Sequence, residues 1–157
     1  MKDINTKFID LAIKEAEKAL KKGDVPVGAV LVKDDEIVSK GHNLRISKKN
    51  ALYHAEVVAI ERACKKLKSW RLDNTILYTT LEPCLMCAGA IMQARIKKVV
   101  FLAKDEKGGA VLSKYTVFDD KKLPFKLEYS YIPDERAEKL LKDFFKVLRE
   151  VKRHDKV

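Results

Sequence analysis

Near the N-terminus, Phe8, Ile9, Ala12, Ile13, Ala16, Ala19 and Leu20 recur at helical spacing, with lysines and glutamates between them. The pattern predicts a first helix that Gly23 and Asp24 end. Residues 25–33 form an apolar run of the kind a strand buried on both faces carries. Asp34-Asp35 is a turn, and residues 36–42 return as the hairpin partner. Residues 43–53 read as a loop bearing Arg45, Lys48 and Lys49. Helical steps resume from His54 to about Lys68, at Ala55, Val58, Ala59 and Ala63. Trp70 is expected to pack beside that helix, and Cys64 to sit half-buried near its end as a small apolar group. A β-branched strand over 75–80 feeds directly into a helix over 84–94, and 97–103 is the next strand. Residues 105–120 are irregular, with a short helical turn near 114–118, and 125–131 alternates as a last strand. The final helix, about 134–153, sets Ala137, Leu140, Leu141, Phe144, Phe145, Leu148 and Val151 on one stripe. Lys139, Lys142, Lys146, Arg149, Lys152 and Arg153 lie opposite.

That succession predicts an α/β protein, a three-layer α/β/α sandwich on a mixed five-stranded sheet. No linker, repeat or low-complexity stretch divides residues 1–157, so one domain is expected. An apolar share of 46% against 36% charged fits a soluble chain, and no apolar run approaches the ~20 residues that span a bilayer. Lys7, Asp10, Lys14 and Glu15 interrupt what would be the apolar core of a signal peptide. Cysteine is used only three times, which fits a reducing compartment, and the expected location is cytoplasmic. A net charge of +10 favours polyanionic partners, nucleic acid first among them.

The chemistry concentrates in His54-Ala55-Glu56 and in Glu82-Pro83-Cys84-Leu85-Met86-Cys87. Cys84 and Cys87 are three apart and share one helix face, so both reach one ion. Pro83 suits a helix start, and the partial positive charge there favours thiolate. One imidazole and two thiolates hold a zinc ion on three sides and leave the fourth for water, as catalytic rather than structural sites do. Glu56, two residues beyond the imidazole, is near enough to that water to move its protons. A lone C-x-x-C also fits a redox pair or half of a structural zinc site, which His42, Cys64 or His154 would have to complete. Neither use has a task for Glu56.

H-A-E with P-C-x-x-C resembles the signature of the zinc-dependent nucleoside and nucleobase deaminases of the cytidine/deoxycytidylate superfamily. The stretches 25–30 (VPVGAV), 41–43 (GHN), 77–84 (LYTTLEPC), 87–91 (CAGAI) and 95–101 (RIKKVVF) are similar to the bacterial tRNA adenosine deaminases. The likeness runs from about Phe8 to about Arg149. It implies the same sandwich, one zinc ion per subunit, a tRNA anticodon stem-loop as partner, and a homodimer. It also implies that Asn43 hydrogen-bonds the target nucleoside. Val27 and Gly28 would wall the base pocket. The Leu81 carbonyl and the Cys84 N–H would hold the exocyclic amine and the water, and Asp105 would accept from a ribose 2′-hydroxyl. Two departures stand out. Gly109-Ala110-Val111-Leu112-Ser113 replaces the usual Gly-Ala-Ala-Gly-Ser, so Leu112 is expected to reshape that loop. Phe144-Phe145-Lys146-Val147-Leu148-Arg149 replaces F-F-R-x-R-R, which moves basic contacts to Lys152 and Arg153.

The reading that results is hydrolytic deamination of adenosine to inosine at the tRNA wobble position. The resemblance points to an arginine tRNA with an ACG anticodon. A second reading keeps the chemistry on a free base or nucleoside such as guanine or cytosine. A third is a zinc-stabilised RNA-binding module without catalysis, which the presence of Glu56 opposes.

Overall fold

The computed structural model describes residues 4–155. The elements run α1 (Thr6–Lys21), β1 (Gly28–Lys33), β2 (Glu36–His42), α2 (Ala55–Leu67), β3 (Thr75–Thr79), α3 (Leu85–Ala94), β4 (Lys98–Phe101), a short 3₁₀ turn (Val117–Asp119), β5 (Glu128–Tyr131) and α4 (Glu135–Asp155). The sheet order is β2-β1-β3-β4-β5. β1 pairs antiparallel with β2 and β3, while β3, β4 and β5 run parallel. The mixed five-stranded sheet is therefore as the sequence predicts.

Side-chain parity along the hairpin assigns the two helical layers. A Cβ at Gly28 would strike backbone atoms of α1, whereas one at Gly41 would meet Ala55 O and Ala59 N of α2 at 2.7 Å. Gly28 lies opposite His42, and Gly41 opposite Ala29, so the two glycines point to opposite faces. α1 and α4 cover one face, joined at their surface by Arg136 and Asp10 at 2.9 Å. α2 and α3 cover the other. On the α1 side, His42 meets the buried Glu15 carboxylate at 3.0 Å, and the same carboxylate accepts from Lys18 at 2.6 Å. The hairpin turns through positive φ at Asp34 and Asp35, 52° and 60°, the turn whose twist matches that of the strands.

Gly28 is thus where α1 closes onto the sheet. The Cβ of Gly28→Ala would meet the Ala12 carbonyl oxygen and the Ala16 amide nitrogen, which cannot move without the helix. The substitution is expected to cost about 1–3 kcal/mol, as overpacking does, and thermal denaturation would read the loss. A melting temperature equal to that of the unmodified chain would contradict this packing.

Several expectations need correcting. β1 begins at Gly28 rather than at 25, because the Val27 N–H turns back to the Val25 carbonyl at 2.8 Å and takes it from the ladder. The helical turn expected at 114–118 is the 3₁₀ turn at Val117–Asp119. β5 starts at Glu128, three residues late, beyond Pro124. Trp70 does not pack against α2: it is 63% exposed, with the guanidinium groups of Arg71 and Arg95 5.6 and 5.9 Å from its ring centre. The stripe on α4 is buried only at Ala137 and Leu141. Phe145, Leu148 and Val151 are exposed, the first two as walls of an open groove along this helix.

Candidate active site

His54 and Cys84 occupy the same kind of position, the residue that opens α2 and the residue that opens α3. Both have extended backbone, with φ/ψ of −70°/156° and −77°/177°, and neither side chain caps its helix. That frees both for a ligand, at the partially positive starts of two helices. Cys87 follows in the first turn of α3 and is fully buried. The His54 Nδ1 lies 3.7 Å from the Cys84 Sγ and 3.5 Å from the Cys87 Sγ. The three ligand atoms lie within 4.8 Å of one another, near enough to share one ion.

The electrostatics test whether a cation fits. The hydrogen bond from Cys87 holds the Cys84 thiol down, to about 3, with His54 adding to the effect. Cys87 moves the other way, its proton retained by the bond to Cys84 and by burial. His54 is raised, first through its bond to Cys84. Without a cation the cluster can ionise one thiol but not both. A divalent ion removes that conflict, so the donor set fits one, and two sulfurs with an imidazole suit zinc.

Glu56 lies in the first turn of α2, only 4% exposed, and burial pushes its carboxyl up to about 7. It lines a cavity of about 170 Å³ together with His54, Cys84, Val27, Asn43, Leu81 and Asp105. The structure therefore brings all but one of the sequence-predicted site residues together. The exception is Gly28, which is turned to α1 and does not line the cavity. Asn43 is buried, and its Oδ1 accepts the Ala55 N–H at 2.7 Å, which leaves the amide NH₂ as the group a ligand can meet. The Leu81 carbonyl accepts from the Thr79 hydroxyl at 3.1 Å and keeps a second lone pair. Asp105 accepts from the N–H groups of Lys107 and Gly108, both at 3.2 Å, so its loop is already ordered.

Sequence reasoning did not assign Val25, Arg45, Glu82 and Phe145 to this cavity, although all four line it. Arg45 and Phe145 carried a weak signal, a basic residue in the preceding loop and an aromatic on the last helix. Glu82 carried none. Through Leu81, Asp105 and Phe145 the cavity adjoins a larger groove of about 610 Å³ along α4, where Lys104, Lys107, Lys142, Arg149 and Lys152 supply positive charge. Leu112 is 37% exposed and its N–H is tied to Glu82 at 2.8 Å.

Residues 5–149 match the model of the MafB19-like deaminase family. The chain is 45% identical over 142 residues to the tRNA-specific adenosine deaminase of Aquifex aeolicus, covering 90% of this chain and 94% of that one. A solved structure from work on A-to-I editing by tRNA:A34 deaminases at the wobble position superposes with a TM-score of 0.84 at 36% identity. It covers 87% of this chain and all of that one. A guanine deaminase from Bacillus subtilis superposes with a TM-score of 0.63 at 33% identity, over 94% of each chain.

Proposed function

From a chain that belongs to the MafB19-like deaminase family, and within it to the tRNA-specific adenosine deaminases, we infer hydrolytic conversion of adenosine to inosine at the wobble position of a tRNA anticodon loop. The observation that carries this reading is one cavity lined by His54, Cys84 and the buried Glu56, with the Cys87 sulfur clustered on the first two, beside a lysine-rich groove. His54, Cys84 and Cys87 would hold one zinc ion. When bound, that ion supplies the Lewis acidity that makes water a nucleophile near neutral pH.

This chain's own residues do the rest. Glu56 takes a proton from the attacking water and passes protons to the ring nitrogen and to the departing ammonia, so that adenosine and water become inosine and ammonia. A carboxyl with a pKa of about 7 suits a group that must both accept and donate near neutrality. The Asn43 amide donates to the nucleoside, and the Leu81 carbonyl accepts from the exocyclic amine. Val27 provides apolar contact for the base. Asp105, at the mouth, accepts from a ribose hydroxyl. A cavity of about 170 Å³ admits one base and not a stacked pair, which requires the target nucleotide to be splayed out of the loop. The groove along α4 would follow the phosphates on either side. The protein works as a cytoplasmic homodimer in this reading, on an arginine tRNA with an ACG anticodon. No helix among the described residues is long and apolar enough to cross a membrane.

The likeness to a guanine deaminase favours a second reading, the same chemistry on a free purine base. One assay separates the two. Zinc-loaded protein is expected to convert only the wobble adenosine of an arginine tRNA transcript with that anticodon, and to leave a transcript with guanosine at that position unchanged. Ammonia released from free guanine, with no inosine in the transcript, would establish the second reading instead.

A further inference from the structure

We propose that the Glu82 carboxylate is a positioning group that holds residues 105–113 against the metal-binding turn and so sets how tightly RNA is held, without touching the reacting atoms. The substrate half of this rests on the tRNA-deaminase reading; the positional half does not.

Glu82 is 1% exposed, and its charge is met by four backbone N–H groups and one hydroxyl, all from residues 105–113. Oε2 accepts from Val111 at 3.1 Å, Leu112 at 2.8 Å and Ser113 at 2.9 Å. Oε1 accepts from the Asp105 N–H at 3.1 Å and from the Ser113 hydroxyl. One carboxylate therefore fastens both ends of the loop. Gly109, between those ends, leaves room for the carboxylate, since a Cβ there would lie within 2.5 Å of the Glu82 carboxyl atoms. The loop is also tied to the turn itself, because Ala110 donates to the Pro83 carbonyl at 2.8 Å and Gly109 bridges to Cys84. Asp105, which lines the cavity, is thereby fixed relative to Cys84, a proposed metal ligand. An amide cannot replace this carboxylate: it has one acceptor oxygen for five donors and would turn its own N–H groups toward theirs.

Glu82→Gln should therefore raise KM for an anticodon stem-loop RNA about tenfold or more, the scale of losing a charge-assisted hydrogen bond. The turnover number should stay within about threefold of the unmodified value and the zinc content unchanged, since neither proton transfer nor the ligand set is touched. Amide hydrogen exchange should accelerate at residues 105–113 and not in β1 or α2. Gly109→Ala should give the same pattern by pushing the carboxylate out from the loop side. If Glu82→Gln does not fold, Ser113→Ala removes one donor and should shift KM and loop exchange in the same direction by less. A fall in turnover with KM unchanged, a loss of zinc, or unaltered loop exchange would each overturn the proposal. Should the unmodified protein form no inosine, the tRNA reading fails, while the exchange comparison still decides whether Glu82 holds the loop.

Discussion

Glu56→Ala is expected to reduce inosine formation by roughly 10²–10⁴-fold, the contribution of a positioned general acid–base group, while zinc remains bound. Glu56 is not one of the three clustered donors, so its removal leaves the imidazole and both sulfurs in place. Its carboxyl is buried at the start of α2, where desolvation pushes it up to about 7. Such a buried acid opposes the stability of the fold. The alanine variant should accordingly melt no lower than the unmodified protein, because an unfavourable buried acid has been removed. Single-turnover rates on a stem-loop RNA, read beside elemental zinc analysis, test both halves. Turnover within about threefold of the unmodified value would remove Glu56 from the mechanism.

Cys87→Ala should act through the opposite loss. Cys87 is fully buried, with its sulfur 3.5 Å from the His54 Nδ1, and its removal leaves one thiolate and one imidazole to hold the ion. Groups that merely orient a ligand cost about 10–100-fold in metal affinity, so losing a ligand outright should weaken binding more than about 10²-fold. Zinc should fall well below one per chain after dialysis, and inosine formation should disappear with it. Because a bound ion stabilises only the folded chain, added zinc should raise the melting temperature of the unmodified protein and fail to raise that of the variant. Full zinc occupancy in Cys87→Ala would mean that the ion is held elsewhere.

What the sequence made legible follows from the range over which each signal acts. Helical spacing and β-branched runs are local, and the helices and strands lie where they predict, with ends shifted by a few residues. His54, Glu56, Cys84 and Cys87 were legible because each motif packs its chemistry into a few consecutive residues, and the fold brings the two motifs together. A glycine in a strand such as Gly28 reports a close approach without reporting by what; the structure answers with the backbone of α1. Trp70 was misplaced because its ring stacks on arginines at the surface, an option that apolar patterning does not weigh. The later half of the α4 stripe follows the periodicity of a buried face and yet lines an open groove instead of the core. Glu82 was overlooked because its partners lie 23 to 31 residues downstream, in a loop whose sequence shows no sign of converging on an anion.

Distance along the chain also orders events during synthesis. His54, Cys84 and Cys87 all leave the ribosome before residues 105–113, and at about 5–20 residues per second the interval lasts a few seconds. Throughout it the Glu82 anion has none of its eventual donors, which lie at residues 105–113. A nascent chain thus completes the proposed metal-binding set before it owns the wall proposed to meet RNA. Translation alone separates the two in time.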